Sequence, residues 1–253
     1  MNPVIIRETA IGEGMPKICV PIVEKTRAEI IKAAEEIKTL PADLVEWRAD
    51  WFEQVFEAEA VFDVLQELRR ILGELPLLFT FRTKKEGGEK EIDEKYYRTL
   101  NQLVVESGLA DLIDVEVFIG DDVVNDLVRT AHENGVRVIG SNHDFEKTPE
   151  KDEIIRRLCR MQEMEVDLPK IAVMPREKED VLTLLAATEE MNRKYADRPI
   201  ITMSMAGDGV ISRLCGEVFG SALTFGAAGK VSAPGQIGVA ELRQILTVLH
   251  ESV

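Results

Sequence analysis

The sequence predicts an α/β fold, a (β/α)8 TIM barrel with a short N-terminal hairpin. Three observations carry that expectation. Short apolar runs rich in β-branched residues recur about every 30 residues, and each is followed by a longer stretch with helical spacing. There are eight such runs in a chain of 253 residues, a size that suits a closed barrel. No Gly-rich dinucleotide turn follows the first run, as an open doubly wound sheet would more often show.

The predicted strands, in order, are ICVPIV (18–23), LVEWRA (44–49), LLFTFR (77–82), LIDVEVF (112–118), RVIGSNH (137–143), KIAVM (170–174), PIITMSM (199–205) and SALTFG (221–226). Between them lie amphipathic stretches such as TRAEIIKAAEEIKTL, EKYYRTLNQLVVESG and KEDVLTLLAATEEMNRKY, and AELRQILTVLHES closes the chain. In each, charged residues fall opposite an apolar stripe, as expected of a helix lying outside a barrel. Ahead of the first strand, VIIRETAIGEG alternates and turns, which predicts a hairpin plugging the barrel bottom. No Ser/Pro-rich linker, low-complexity tract or long charge block divides the chain, so residues 1–253 are expected to form a single domain.

Composition narrows the function. With 46 acidic against 31 basic side chains the net charge is -15, which disfavours extended contact with nucleic acid or an anionic membrane. A pocket of clustered arginines for a small anion remains compatible with that balance. Cys19, Cys159 and Cys215 are odd in number and form no CxxC pair, so they are read as buried thiols and not as a disulfide or zinc framework. The absence of a basic leader with an apolar core and of long apolar runs predicts a cytoplasmic protein.

The polar residues at predicted strand ends are the candidate site, because a barrel carries its chemistry at the C-terminal ends of its strands. Glu46 and Arg48 share one face of the second strand, Arg82 ends the third, and Glu86 follows in TKKEGGEK. An Arg/Glu pair there is either a structural ion pair or part of a site, and spacing leaves both open. Asp114 and Glu116 share a face of the fourth strand; with no third ligand in reach, they suit a carboxylate pair neutralising a cation better than a metal site. His143 is the one histidine of three placed for proton transfer at the catalytic face, against the plainer reading of a loop histidine with one local hydrogen bond. Lys170 shares a face with Ala172 and Met174. If it faces inward, apolar neighbours would favour the free amine needed for imine formation; if outward, it is a solvated lysine at the barrel bottom. Met203 and Met205 suit a wall, and Arg213 lies early in the helix after the seventh strand. The loop GAAGKVSAPGQIG is not a phosphate loop, since Thr224 stands where its first glycine should be and Val231 follows Lys230.

Six motifs in order, EWRAD (46–50), FTFRTKKEGGE (79–89), SNHDF (141–145), LPKIA (168–172), MSMAGDGVISR (203–213) and SAPGQI (232–237), resemble the type I 3-dehydroquinate dehydratases, a class I Schiff-base lyase family of the shikimate pathway. The resemblance spans nearly the whole chain. It implies that Lys170 forms an imine with the C3 ketone of 3-dehydroquinate, that His143 takes the C2 proton and returns it to the departing C1 hydroxyl, and that Glu86 orients His143. It further implies that Arg213, Ser232 and Gln236 hold the substrate carboxylate, that Glu46, Arg48 and Arg82 read the ring hydroxyls, and that Met203, Met205, Phe225 and Ala233 form the apolar wall. No cofactor or metal is expected, and the partners are the small-molecule substrate and a second copy in a homodimer. A class I aldolase and a non-catalytic hydroxy-acid-binding barrel are the competing expectations.

Overall fold

A computed structural model describes residues 2–229 and 235–253. The chain opens with β1 (Val4–Ile6) and β2 (Thr9–Ile11), an antiparallel hairpin in which Val4 faces Ile11. Eight parallel strands follow: β3 (Lys17–Ile22), β4 (Leu44–Arg48), β5 (Leu77–Thr80), β6 (Leu112–Glu116), β7 (Arg137–Asp144), β8 (Leu168–Val173), β9 (Ile201–Ser204) and β10 (Leu223–Ala227). From β3 to β9 each pairs with the next in chain order, and β10 pairs with β3. The ring closes between β9 and β10 through a parallel bridge of Ile200 with Ser221, whose neighbour Ala222 donates its N–H to the Ile200 carbonyl at 2.8 Å. A short β11 (Ile237–Gly238) lies beside the end of β10.

The connecting helices are α1 (Arg27–Ile37), α2 (Ala58–Leu72), α3 (Glu94–Glu106), α4 (Asp121–Glu133), α5 (Lys151–Glu163), α6 (Lys178–Lys194), the short pair α7 (Val210–Leu214) and α8 (Gly216–Phe219), and α9 (Val239–His250). Local chemistry sets their starts. Thr26 and Glu29 form a reciprocal capping box on α1, and the Asp93 carboxylate accepts the Tyr96 N–H on α3. The seventh unit, expected as one helix, is split into two short helices at Cys215, which ends α7 and starts α8.

Both faces of every barrel strand are buried, so alternation separates two cores. The outward residues, such as Val45, Trp47, Phe79, Ile113, Val115, Ile171 and Val173, pack under the helices. The inward residues begin at the bottom with a layer of Cys19, Leu44, Leu78, Leu112, Ile139, Leu168, Ile201 and Leu223, against which the hairpin packs Ile6 and Ile11. Each leucine there contributes roughly 1.5–3 kcal/mol of burial. This is the bottom plug the sequence predicts. Above that layer the inward positions turn polar, and the hydrophobic floor seals them from solvent on the lower side.

Two expectations need correction. Only Cys19 is a fully buried thiol; Cys159 and Cys215 are half-buried, because α5 and the α7–α8 junction leave one side open. Strand β8 begins at Leu168 and not at Lys170. Pro169 reads as a strand break, yet pairing of β8 with β9 starts only at Lys170 opposite Ile201, so the missing N–H of Pro169 falls at the strand's start where it is tolerated. Lys170 is therefore the third residue of its strand, not the first.

Candidate active site

Following the inward positions up from the apolar layer gives Glu46 and then Arg48 on β4, Thr80 and Arg82 on and after β5, Asp114 and Glu116 on β6, Ser141 and His143 on β7, and Lys170 and Ala172 on β8. The two-residue period of each strand places these side chains over Leu44, Leu78, Leu112, Ile139 and Leu168. Met203 and Met205 continue from β9 and Phe225 from β10. Glu46, Arg48, Arg82, Glu86, His143, Lys170, Met203, Met205, Arg213, Phe225 and Gln236 border one pocket at the C-terminal mouth of the barrel, joined by Gly87, Phe145 and Ala172, while Asp114 and Glu116 are buried and do not border it. Ser232 and Ala233 lie outside the described residues.

Lys170 is 3% exposed, and its Nζ donates to Asp114 Oδ2 at 3.1 Å. The ammonium also lies 4.7 Å from the centroid of the Phe225 ring, a cation–π contact. The inward alternative is thus the one realised, and the lysine's solvated alternative falls. Asp114 is the hub of the buried charges. Its Oδ1 accepts from Arg82 Nη2 at 2.7 Å and from the Ser141 hydroxyl. Burial pushes its carboxyl up, but Arg82, Lys170 and the Ser141 hydrogen bond together outweigh that and hold it at about 2. Arg82 spends Nη1 on Glu116 at 3.0 Å and Ser141 at 2.9 Å. Glu116 also accepts the Thr83 N–H at 2.8 Å and its hydroxyl at 2.6 Å. The Asp114/Glu116 pair is therefore engaged with cations and hydroxyls, as the missing third ligand suggested. Among the described residues no group of three or more His, Cys, Asp or Glu side chains is arranged to hold a metal ion.

Arg48 is clamped from the side by Asp50, with Nε to Oδ1 at 2.8 Å and Nη2 to Oδ2 at 2.9 Å. Burial alone would lower its pKa, but Asp50 more than offsets that and raises it. Of its five donors, those on Nη1 make no hydrogen bond among the described residues, and Arg48 borders the cavity. Glu46 accepts the Thr80 hydroxyl at 2.8 Å. Arg213, in the last turn of α7, lies with Nη1 3.7 Å from Met203 Sδ, and burial lowers its pKa to about 10 while leaving it cationic at neutral pH.

Glu86 and His143 form a buried pair. Glu86 Oε2 accepts both the His143 backbone N–H, at 2.9 Å, and its Nδ1, at 3.0 Å. Burial, then the Arg82, Lys170 and Arg48 cations, push His143 well below its ordinary value, so the ring is neutral at pH 7. A neutral ring that donates from Nδ1 leaves Nε2 as an acceptor, the state a general base requires. Two groups of influences compete at Glu86. Burial and then the Glu116 carboxylate prevail, so that Glu86 is raised to about 8 even though Arg82, Asn142 and the His143 N–H favour the carboxylate.

The short 3-10 turn at Lys84–Glu86 that delivers Glu86 depends on Gly88. Its N–H bonds the Thr83 carbonyl at 2.9 Å, and a Cβ there would lie 1.9 Å from the Arg82 carbonyl oxygen. No side-chain motion relieves a clash with backbone. Gly88→Ala is expected to displace the turn and lower kcat by at least about tenfold, since misplacing a reacting group by about 1 Å can cost about 100-fold; steady-state kinetics checks it. Sequence reading singled out neither Gly88 nor Asp50 and Ser141. Ser141 was available from alternation with His143, and Asp50 from its place two residues past Arg48.

A buried amine and a neutral histidine at the mouth of a closed (β/α)8 ring, set among arginines, define a barrel enzyme that works on a small anionic carbonyl compound. Residues 18–253 match the family described as type I 3-dehydroquinase. The chain is 60% identical to the 3-dehydroquinate dehydratase of Clostridioides difficile (strain 630), over 98% of this chain and 97% of that one. Among solved structures, the type I 3-dehydroquinate dehydratase from Clostridium difficile with covalently modified comenic acid superposes with a TM-score of 0.98 at 59% identity, covering 100% of both chains. The 3-dehydroquinate dehydratase from Geobacillus kaustophilus HTA426 does so with a TM-score of 0.96 at 39% identity, over 99% of each. This chain belongs to the type I 3-dehydroquinase family.

Proposed function

We propose that this chain dehydrates 3-dehydroquinate to 3-dehydroshikimate, a hydro-lyase reaction, through an imine on Lys170. The observation that carries the reading is the placement of the Lys170 amine: buried, mid-barrel, 3.1 Å from Asp114, one layer below His143 on the neighbouring strand, where Ser141 pairs with Lys170 and His143 with Ala172. Lys170 attacks the C3 ketone, and loss of water leaves a cationic iminium that acidifies the C2 proton. Asp114, 3.1 Å from Nζ, balances that cation. His143 Nε2 removes the C2 proton, held by Glu86 through Nδ1, and the protonated ring then gives a proton to the C1 hydroxyl as it leaves. Hydrolysis of the imine frees product and amine. The planar forks of Arg48 and Arg213 suit hydroxyl and carboxylate recognition, with Gln236, Ser232, Glu46 and Arg82 adding polar contacts and Met203, Met205, Phe225 and Ala233 the apolar wall.

Family membership removes the support for an aldolase or a non-catalytic binder. The covalently modified ligand in the Clostridium difficile relative is in keeping with a pocket that forms a covalent bond. Further parts of the reading are a single catalytic domain, a cytosolic location and a homodimer. None of the described helices is long and apolar enough to cross a membrane. Sedimentation equilibrium checks the dimer.

The test is intact-mass measurement after mixing the protein with 3-dehydroquinate and borohydride, followed by peptide mapping. A reduced adduct confined to Lys170 is expected; dehydration without any adduct sinks the imine. For His143, substitution by alanine is expected to leave the adduct in place while lowering kcat by about 100- to 10,000-fold, read by single-turnover kinetics. An unchanged rate would remove His143 as the base.

A further inference from the structure

Behind the Glu86–His143 pair, on the side away from Lys170, the barrel wall opens into a second, wider cleft between the β5–α3, β6–α4 and β7–α5 connections, and Glu86, His143 and Asn142 border it. Asn142 is the residue between Ser141 and His143 and points out of the barrel by alternation. Its Nδ2 donates to Glu86 Oε1 at 3.2 Å, so both oxygens of Glu86 are anchored from β7. On its other side, Asn142 Oδ1 accepts from Arg157 Nη1 at 2.9 Å. A side-chain amide can face either way, and the wrong face would set its oxygen against the Glu86 carboxylate. A guanidinium at one end removes that choice, because Arg157 has donors only and needs the oxygen. Arg157 is itself fixed, with Nε on Glu153 Oε1 at 2.7 Å, Nη1 3.7 Å from Asp144 Oδ2, and its guanidinium 5.7 Å from the Phe118 ring centroid. It does not border the cavity that holds Lys170.

We propose that Arg157 on α5 is a positioning residue for the dehydration: it orients the Asn142 amide so that its Nδ2 donates to Glu86 and favours the carboxylate form that faces His143 Nδ1. This deepens the functional reading and rests on it. The same order of groups gives the sign of its effect on pH dependence. Glu86 faces Arg82 from the end of β5, Glu116 from β6, and Asn142 and His143 from β7; His143 in turn faces Arg82, Lys170 from β8 and Arg48 from β4. Of these, burial and Glu116 favour a protonated Glu86. Removing the Asn142 donor strengthens their hand, so the pair loses its working form at higher pH than before.

The test compares wild type, Arg157→Met, which keeps an unbranched apolar stem but has no donor, and Arg157→Lys, which restores a cationic donor. With Arg157→Met, kcat at neutral pH is expected to fall about tenfold, the effect of losing one charge-assisted hydrogen bond. The acid limb of the kcat profile should move to higher pH, KM should stay within about twofold because Arg157 is remote from substrate, and Arg157→Lys should recover most of the rate. An Arg157→Met profile that overlays wild type overturns the proposal, as does a loss that tracks a lowered Tm and is not recovered by lysine. Borohydride trapping separates this from the parent reading. Adducts at Lys170 in both proteins with an unmoved profile sink only the role of Arg157, whereas no adduct in wild type sinks the imine and with it the proposal.

Discussion

Lys170→Ala is expected to abolish turnover, with kcat down by on the order of 10⁵-fold or more, as when a covalent nucleophile is removed from other enzymes. The fold should survive. Alanine leaves the apolar floor of Leu168 and its ring of neighbours untouched, and Asp114 keeps Arg82 at 2.7 Å and the Ser141 hydroxyl as partners. The variant therefore separates binding from chemistry. Arg48 and Arg213 remain, so the ligand should still bind, measurable by calorimetry with 3-dehydroquinate or product, while borohydride yields no mass increase. Residual dehydration sensitive to His143→Ala would show acid–base chemistry running without the imine. Retention of near wild-type turnover by Lys170→Ala would instead remove the imine altogether.

Much of this site was readable because a barrel strand alternates strictly. Glu46 with Arg48 and Asp114 with Glu116 had to share a face once each pair lay in a strand, and polar residues at two-residue spacing among Leu, Val and Ile could only be inward groups at the mouth or errors of burial. Which pairs were ion pairs was not readable. Arg82 reaches Asp114, Glu116 and Ser141 on two other strands, and only closure of the ring fixes such distances. The height of Lys170 was misjudged because Pro169 obscures the start of β8, and its inward direction stayed open, because a face shared with Ala172 and Met174 does not say which face looks into the barrel. The hairpin was legible as a short alternating run, and its role as a floor followed from Ile6 and Ile11. Asn142 and Arg157 were silent. The amide sits on the outward face of β7, where sequence pattern predicts only packing, and its partner comes from a helix whose polar residues look alike from sequence. Dipole orientation leaves no periodic trace.

Asp114→Asn is expected to show the largest loss of stability, and it tests the charge without changing the shape. The asparagine still fits among Arg82, Ser141 and Lys170, but two buried cations lose their shared counter-charge. Removing one partner of a buried ion pair costs about 3–5 kcal/mol, and Glu116, which also accepts from Arg82 at 3.0 Å, keeps the loss from being larger. For a chain of this length that is a fall in Tm of roughly 10 °C or more. The pH dependence has a definite sign. The folded carboxyl titrates at about 2 against an ordinary value of 3.8, so the unfolded chain binds the proton first on acidification. The stabilisation, on the order of 2 kcal/mol from the pKa difference, is fully present above the ordinary value and is lost as pH falls toward the folded one. The gap between wild type and Asp114→Asn in urea unfolding should therefore be widest at pH 6 to 7 and narrow by about 1 kcal/mol at pH 3. Activity should fall with it, by about 100-fold in kcat with a smaller change in KM, because the iminium is the cation that Asp114 must balance during proton removal. A variant as stable as wild type at neutral pH would mean that Arg82 and Lys170 are balanced by Glu116 and Glu46 alone, and that Asp114 holds neither the fold nor the intermediate.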